Sequence, residues 1–441
     1  MVIEAAALED AVRLRPPTAL NVVILTIGCK LNQAESETMA RELGAAGCRV
    51  TDRAVPADAF IINTCAVTHV AERKARHLVR LARRLSPRAR IIVAGCYAET
   101  VAPEVIAGLG ADVVLGNREK LRGPCQALES KSPLDAVTST SVPRLRTRSF
   151  IKIQEGCNDV CAFCVVPQTR GRERSVSSAD ILRDLKAAEA DGVQEVVLTG
   201  TQLGAYGRDL DGAGDLVALI ERALKETGLA RLRLSSVQPQ DLTPGLLDLW
   251  ADERLCRHFH IALQSGSDVV LARMRRRYDA RQFIEGLEAI RRRYTDAAIT
   301  TDVLVGFPGE TEEDFAATRR FCREAAFAAL HVFPFSARPG TLAAKMPEQI
   351  GAATKRSRVQ EMLGLGEELR GRFLKRFQGS VVSVLFERRV NGGLWEGLTG
   401  NYIRVLAPSE RSLENRIAAV RLERLRGEGF EGELQHSVET S

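Results

Sequence analysis

The sequence contains no uninterrupted apolar run long enough to cross a bilayer, which argues against a helical membrane protein. It also has no solenoid-like internal repeat. The stretch Met1 to Pro17 carries Glu4, Glu9 and Asp10 and shows no signal-peptide pattern, so a cytoplasmic setting is expected. In a reducing compartment, ten cysteines are expected to be ligands or free thiols rather than disulfides. Charge of one sign is not dominant: the net +6 gives a mild pull toward an acidic partner and no more. The hydrophobic fraction of 45% and charged fraction of 27% describe a soluble globular chain. At 441 residues it exceeds one ordinary core, and two or three domains are expected.

What is present is a concentration of sulfur. Cys157, Cys161 and Cys164 fall in one run, Glu155-Gly156-Cys157-Asn158-Asp159-Val160-Cys161-Ala162-Phe163-Cys164. Structural zinc sites usually close with four ligands, and here no fourth cysteine or histidine lies nearby. Three thiolates instead suit three corners of an iron–sulfur cubane and leave one iron free to bind a small molecule. A partial zinc site or three unrelated thiols is the competing reading of the same run. The run resembles the radical S-adenosylmethionine superfamily, whose signature is C-x-x-x-C-x-x-C with an aromatic residue before the last cysteine. Phe163 fills that place. The resemblance implies an open iron that chelates the amino and carboxylate groups of S-adenosylmethionine.

The remainder reads as α/β. Apolar β-branched runs at Asn21–Ile27, Ala59–Ile62, Arg90–Ala94 and Asp112–Leu115, with a helix over about 33–46, predict a parallel sheet. Cys29, Cys65 and Cys96 follow the first three of these strands. The carboxyl ends of parallel strands share one edge, so three distant thiols can converge there. Three strand-end cysteines without a chemical role fit equally well at this point. Ser130 to Arg148 reads as a linker. Strands predicted at Phe150–Ile153, Glu195–Leu198, Ala230–Leu234, His258–Ala262, Ala298–Leu304 and Ala329–Phe333 then alternate with helical patterns, as in a partial (β/α)6 TIM-like barrel. A helix over about 352–377 leads to four short strands, Val381–Phe386, Leu394–Leu398, Tyr402–Val405 and Ile417–Val420, which suggest a small antiparallel β-barrel.

With both cysteine sets placed, the chain resembles the methylthiotransferase family of radical S-adenosylmethionine enzymes, from about Val22 to the C-terminus. The resemblance implies an auxiliary-cluster domain at 20–130, a radical core at 143–371 and a C-terminal TRAM domain at 372–441. It implies two [4Fe-4S] clusters, one on Cys157, Cys161 and Cys164 and an auxiliary one on Cys29, Cys65 and Cys96. The flanks Gly28-Cys29-Lys30-Leu31-Asn32-Gln33-Ala34-Glu35 and Asn63-Thr64-Cys65-Ala66-Val67-Thr68 look like the branch acting on threonylcarbamoyladenosine beside the tRNA anticodon. Related branches act on isopentenyladenosine in tRNA or on a ribosomal protein.

The implied reaction puts a methylthio group on C2 of the modified adenosine. One electron cleaves S-adenosylmethionine to methionine and a 5′-deoxyadenosyl radical, which takes the hydrogen; a second S-adenosylmethionine gives the methyl group. A one-electron donor protein is implied. Expected S-adenosylmethionine contacts are Phe163, Thr199, Gly200, Ser235, Ser236, Gln264, Gly306 and Phe307, from their strand-end positions and similarity to family motifs. A non-catalytic, metal-containing RNA-binding protein is the alternative from another class.

Three basic runs suggest contact with RNA phosphates: Ala71 to Arg90 with eight cations against Glu72, Arg170 to Arg174, and Arg275 to Arg277. Solvated charged faces look the same in sequence. Tyr402 and Trp395 suit base stacking or core packing. Cys48, Cys125, Cys256 and Cys322 fit no ligand pattern, and His258 and His260 are expected to be packed rather than catalytic.

Overall fold

The computed structural model describes residues 19–129, 147–212 and 214–435. The predicted linker therefore lies, but for its last two residues, outside the described residues, as does Met1 to Pro17. The chain forms two compact units, 1–145 and 146–441.

The first unit is a parallel five-stranded sheet. Its strands are β1 (Asn21–Thr26), β2 (Arg49–Thr51), β3 (Ala59–Thr64), β4 (Arg90–Gly95) and β5 (Val113–Leu115), in the order β2-β1-β3-β4-β5. Strand β2, only three residues long, is absent from the expected set. The central strands are apolar on both faces because helices cover both. Helix α1 (Lys30–Ala45) buries Met39, Ala40 and Leu43 on one side, against Val22, Ile24 and Ile61. Helix α2 (His69–Leu85) buries Ala75, Val79 and Ala82 on the other, against Phe60, Ile62, Ile91 and Val93. Thr68 caps α2 by accepting from the Ala71 N–H at 3.1 Å.

The second unit holds β6 (Ser149–Lys152), a ribbon of β7 (Gln154–Glu155) and β8 (Arg174–Ser175), then β9 (Glu195–Thr199), β10 (Arg231–Leu234), β11 (Ser236–Val237), β12 (His258–Ile261), β13 (Ala298–Val305) and β14 (Ala329–Pro334). The parallel orders β10-β9-β6 and β11-β12-β13-β14 meet where β10 runs through Ser235 into β11. The result is an open partial barrel of six strand positions, filled by a large apolar core around Phe259, Leu263, Phe283 and Phe315. The long helix Ala352–Lys375 follows.

A closed small barrel completes the chain: β15 (Val381–Arg389), β16 (Leu394–Thr399), β17 (Arg404–Pro408), β18 (Ile417–Arg426) and β19 (Gly429–Leu434), in the order β15-β16-β17-β19-β18. Strand β19 is an addition to the four expected strands. It closes the cylinder by pairing parallel to β17, while the other ladders are antiparallel.

The small barrel seals the floor of the large one. Arg231 donates to the carbonyls of Leu398 (3.0 Å) and Ser383 (2.7 Å), and Arg233 donates to that of Gly400 (2.9 Å). Arg233 also bonds Glu195 at 2.7 and 3.2 Å, and its guanidinium lies 4.3 Å from the Tyr402 ring centre. Arg148 reaches Glu387 at 2.6 Å and the Tyr402 hydroxyl at 2.8 Å. Tyr402 thus belongs to this floor, and Trp395 is buried in the small barrel's core. His258 and His260 both bond the Thr300 hydroxyl, at 3.0 and 2.9 Å, and are part of the same packed interior.

Candidate active site

At the carboxyl edge of the first sheet, β1, β3 and β4 are neighbours, in register through Thr26 beside Asn63 and Thr64 beside Gly95. Cys29 stands at the N-cap of α1, Cys65 just after β3, and Cys96 at the start of α3 (Cys96–Thr100). The edge is tight. A Cβ on Gly28 would lie 2.7 Å from the Cys65 Cβ and 3.1 Å from its Sγ. At Gly95, φ is +96° and a Cβ would meet the Thr64 carbonyl oxygen at 2.7 Å, so only glycine delivers Cys96 here.

The polar residues of the two flanking motifs hold these loops. Asn32 donates to the carbonyls of Ile27 (2.7 Å) and Thr64 (2.9 Å), and Asn63 donates to the Asn32 carbonyl (2.9 Å) and to Ser36 Oγ (3.0 Å). Glu35 pairs with Lys120 at 2.5 Å, with both side chains at or below 1% exposure. The Val67 N–H points at Cys65 Sγ at 3.5 Å, and the Asn117 amide points at Cys96 Sγ at 3.6 Å. Asn117 and Lys120 lie outside any local motif, and only the fold brings them to the trio.

At the carboxyl end of the partial barrel, Gln154 joins two strand ends. Its Nε2 donates to the carbonyls of Glu155 (3.0 Å) and Gly156 (2.9 Å), and its Oε1 accepts from the N–H groups of Thr201 (3.1 Å) and Gln202 (2.9 Å). Gly156, at φ +74°, has no room for a side chain: a Cβ would fall 1.9 Å from the Arg172 carbonyl oxygen. Cys157 follows and donates from Sγ to Gln202 Oε1 at 3.0 Å. Ala162 pins the cysteine loop, donating to the Met274 carbonyl (3.0 Å) and accepting from the Ala343 N–H (2.8 Å).

Arg276 Nη1 donates to Cys161 Sγ at 3.4 Å, its Nε bonds the Tyr278 hydroxyl at 3.0 Å, and its Nη2 bonds Gln238. Burial pushes the Cys157 thiol up to about 12, with the neighbouring Asp159, Cys164 and Cys161 adding to the rise. Burial likewise raises Cys164 to about 11, against the opposing pull of Arg276.

The expected cofactor contacts separate into classes. Thr199 and Gly200 end β9 beside Gln154. Ser235 is buried with its Oγ unpartnered, at the junction leading to Ser236. Gln264 takes a positive φ of 67° and bridges to β13. The N–H groups of Gly306 and Phe307 are already engaged by Glu310 Oε2, at 2.8 and 3.2 Å, and Glu310 is held in turn by Arg358 at 2.8 Å. Phe307 stacks edge-on with Phe163 and Phe335, forming an apolar floor under the cysteine loop.

Gln154, Gln202 and Arg276 were absent from the sequence-derived site. The amides carry no local signal, and Arg276 was masked by its run. The structure divides that run: Arg277 pairs with Asp159 at 2.5 Å while Arg276 turns to the thiols. The Arg170–Arg174 run is likewise partly consumed, since Arg170 and Arg174 both bond Glu155, at 3.4 and 2.6 Å. Cys48, Cys256 and Cys322 are buried free thiols, and Cys125 is half-buried.

Among the described residues no three His, Cys, Asp or Glu side chains are close enough to hold a single metal ion. A cubane cluster is several atoms across and needs its thiolates further apart than one ion does. An amide and a guanidinium contact the barrel sulfurs directly, and the nearby Asp159 carboxylate is paired with Arg277, an arrangement that suits an electron-rich sulfur cluster. The residues present fit such a group. No helix among the described residues is long and apolar enough to cross a membrane.

Comparison with known proteins gives two family matches: the radical SAM superfamily over residues 151–322 and the uncharacterized protein family UPF0004 over residues 21–116. A threonylcarbamoyladenosine tRNA methylthiotransferase of Bacillus subtilis is 34% identical over 420 residues, covering 91% of this chain and 93% of the relative. A tRNA-2-methylthio-N(6)-dimethylallyladenosine synthase of Syntrophomonas wolfei is 36% identical, covering 82% and 86%. Among solved structures, the radical S-adenosylmethionine methyltransferase TsrM of Kitasatospora setae matches with a TM-score of 0.53 at 14% identity, over 74% of each chain, which shows a shared fold.

Proposed function

The chain belongs to the radical S-adenosylmethionine methylthiotransferase family, and from that premise we propose that it converts N6-threonylcarbamoyladenosine beside the tRNA anticodon to its 2-methylthio derivative. The observation that carries this reading is the pair of cysteine trios, each at the carboxyl ends of parallel strands. Cys157, Cys161 and Cys164 hold one [4Fe-4S] cluster with S-adenosylmethionine, and Cys29, Cys65 and Cys96 hold a second. When bound, these groups supply the one-electron and sulfur chemistry that an unactivated aromatic C–H bond requires and no side chain offers.

The chain's own residues position and shield. Gln154 ties the β6 and β9 ends together, so the start of the cysteine loop and the segment after the Thr199-Gly200 rim share one hydrogen-bonding side chain. Arg276 and Gln202 face the sulfurs with polar hydrogens or lone pairs. Thr199, Gly200, Ser235, Ser236 and Gln264 form the polar rim for S-adenosylmethionine. Ser235 Oγ, buried and unpartnered, is the donor most free to bind it. Gly306 and Phe307 act through shape, because their N–H groups are spent on Glu310. Phe163, Phe307 and Phe335 keep water from beneath the loop.

The domains are read as 20–130 for the auxiliary cluster, 143–371 for the radical core and 372–441 for the TRAM module. The enzyme works in the cytoplasm with a one-electron donor protein.

The second substrate reading, isopentenyladenosine, is favoured by relatives of that activity at similar identity. Lys30 after Cys29 weighs against it, since that branch more usually carries glutamine there. Nucleoside mass spectrometry of tRNA from cells lacking the gene decides between them. Loss of 2-methylthio-threonylcarbamoyladenosine is expected; its persistence, with loss of the isopentenyl counterpart, overturns the assignment.

A further inference from the structure

Helix α2 carries an unpaired cationic stripe. At about 100° per residue, Arg73, Arg76, His77, Arg80 and Arg84 fall within an arc of about 100°. The opposite face, with Ala75, Val79 and Ala82, is buried against the sheet. Arg73, Arg80 and Arg84 are exposed and Arg76 is half-buried. None of these four arginines makes an ion pair or side-chain hydrogen bond among the described residues.

Arg83, on the same helix, shows what a structural arginine looks like here. It donates to the carbonyls of Pro87 (2.9 Å), Ala89 (2.9 Å) and Gly110 (2.7 Å) and pairs with Asp112 at 2.9 Å. The other two basic runs spend several of their arginines on Glu155, Asp159 and Cys161. The α2 stripe therefore keeps charge that the fold does not use.

Its placement matters as much as its charge. Helix α2 begins four residues after Cys65, at the sheet edge where the three cysteines gather. From Arg73 to Arg84 the stripe extends about 16 Å at 1.5 Å per residue. The one acidic residue on the helix, Glu72, is engaged by His69 at 3.4 Å, and an exposed row of guanidinium groups of this kind suits a polyanion presenting one charge every few ångströms. The apolar face is occupied by the sheet, so the helix has nothing to insert into a lipid surface.

We propose that this stripe docks the phosphate backbone of the tRNA substrate and aligns it toward the edge bearing Cys29, Cys65 and Cys96. The inference rests on the tRNA reading above. Phosphate contact needs charge more than shape, so lysine should substitute where glutamine cannot.

The test uses the full-length, cluster-loaded protein and unmodified substrate tRNA, with dissociation constants measured across salt concentrations. Arg73→Gln/Arg80→Gln/Arg84→Gln is expected to weaken binding at least tenfold at low salt. It should also flatten the log–log salt slope by about 2 to 3, at roughly 0.7–0.9 per lost contact. Arg73→Lys/Arg80→Lys/Arg84→Lys should stay within about twofold, and Arg80→Gln alone should flatten the slope by about 0.7–0.9. Production of 5′-deoxyadenosine without tRNA should be unchanged in all variants. Unchanged affinity and slope in the glutamine variants overturns the proposal. So does normal tRNA binding combined with loss of reduction by the electron donor protein, which would make the stripe a protein-docking face. If the parent protein binds no tRNA, it is the substrate reading that fails, a result distinct from parent and variants binding alike.

Discussion

Glu195→Gln is the perturbation whose size the structure sets most directly. Glu195 is fully buried at the barrel floor and surrounded by Arg233 at 2.7 Å, Arg231 at 3.6 Å and Arg148 at 4.0 Å. Burial alone would raise its pKa, but the charges of Arg233, Arg148 and Arg231 and the Arg233 hydrogen bond overcome it and bring it down to about 2 from an ordinary 4.5. A fall of that size corresponds to about 3 kcal/mol of stability. Because the folded value is depressed, the contribution is complete above about pH 4.5 and disappears as pH falls through about 2.

Glutamine keeps the shape and leaves Arg233 buried without its counter-charge, a change that usually costs about 3–5 kcal/mol. The low end is expected, because Arg233 retains the Gly400 carbonyl at 2.9 Å. Urea unfolding followed by tryptophan fluorescence reads this unit specifically, since both tryptophans, Trp250 and Trp395, lie in it. The midpoint should fall with little change in slope. The gap to the parent protein should close between about pH 4.5 and 2. A loss below about 1 kcal/mol at pH 7, or a gap that ignores pH across that window, would refute the ion cluster as the clamp between the two barrels.

Cys161→Ala should lose about half the iron and all 5′-deoxyadenosine production, whereas Cys65→Ala should lose its share of iron, keep that production and stop methylthiolation. Methylthiolation surviving in Cys65→Ala would remove the auxiliary cluster from the mechanism. Arg276→Met should retain iron but make the barrel cluster harder to reduce, by at least the ~59 mV that marks a tenfold change for one electron. An EPR-monitored potential equal to the parent's would reduce Arg276 to a packing role. Gly156→Ala should cost about 3 kcal/mol or more, or fail to hold iron, because its Cβ would overlap the Arg172 carbonyl; a stable, iron-replete variant would contradict the loop geometry.

Where burial and chemistry share a local pattern, the sequence was readable. The runs NVVILT, AFIINT and RIIVAG are apolar because helices cover both faces, and each strand begins at its expected residue. Strand β2 has only Arg-Val-Thr, and β19 has Gly-Phe-Glu-Gly-Glu-Leu; neither offers an apolar run, and both depend on a neighbouring ladder. In β10 the alternation Arg-Leu-Arg-Leu looks like a half-solvated strand, yet both arginines are buried because Glu195 and the small barrel's carbonyls supply partners from elsewhere in the chain. Spacing singled out Cys157, Cys161 and Cys164 and strand position singled out Cys29, Cys65 and Cys96, the latter trio being proposed as ligands through the family resemblance, whereas Gln154, Gln202, Asn117 and Lys120 act across 21 to 85 residues of separation and leave no local trace.

On the proposal that both trios hold clusters, each sulfur occupies two states, and the residues around it suit both. A cysteine awaiting its cluster is a thiol and donates a hydrogen; once it is a ligand it is a thiolate and only accepts. A carboxylate beside it would suit the first state and repel the second. An amide serves both, because rotation of Gln202 exchanges its Oε1, which accepts from the Cys157 thiol, for an N–H that donates to a thiolate. Asn117 already presents its N–H to Cys96, and the backbone N–H groups of Val67 and Asp159 do the same for Cys65 and Cys157. At Cys161 a full positive charge makes direct contact, and Arg276 is held there by Tyr278 and Gln238, while the nearby Asp159 carboxylate is paired with Arg277. The loops can therefore be folded before any cluster is present and still stabilise negative sulfur afterwards, with the strongest cationic influence on the trio that must accept an electron.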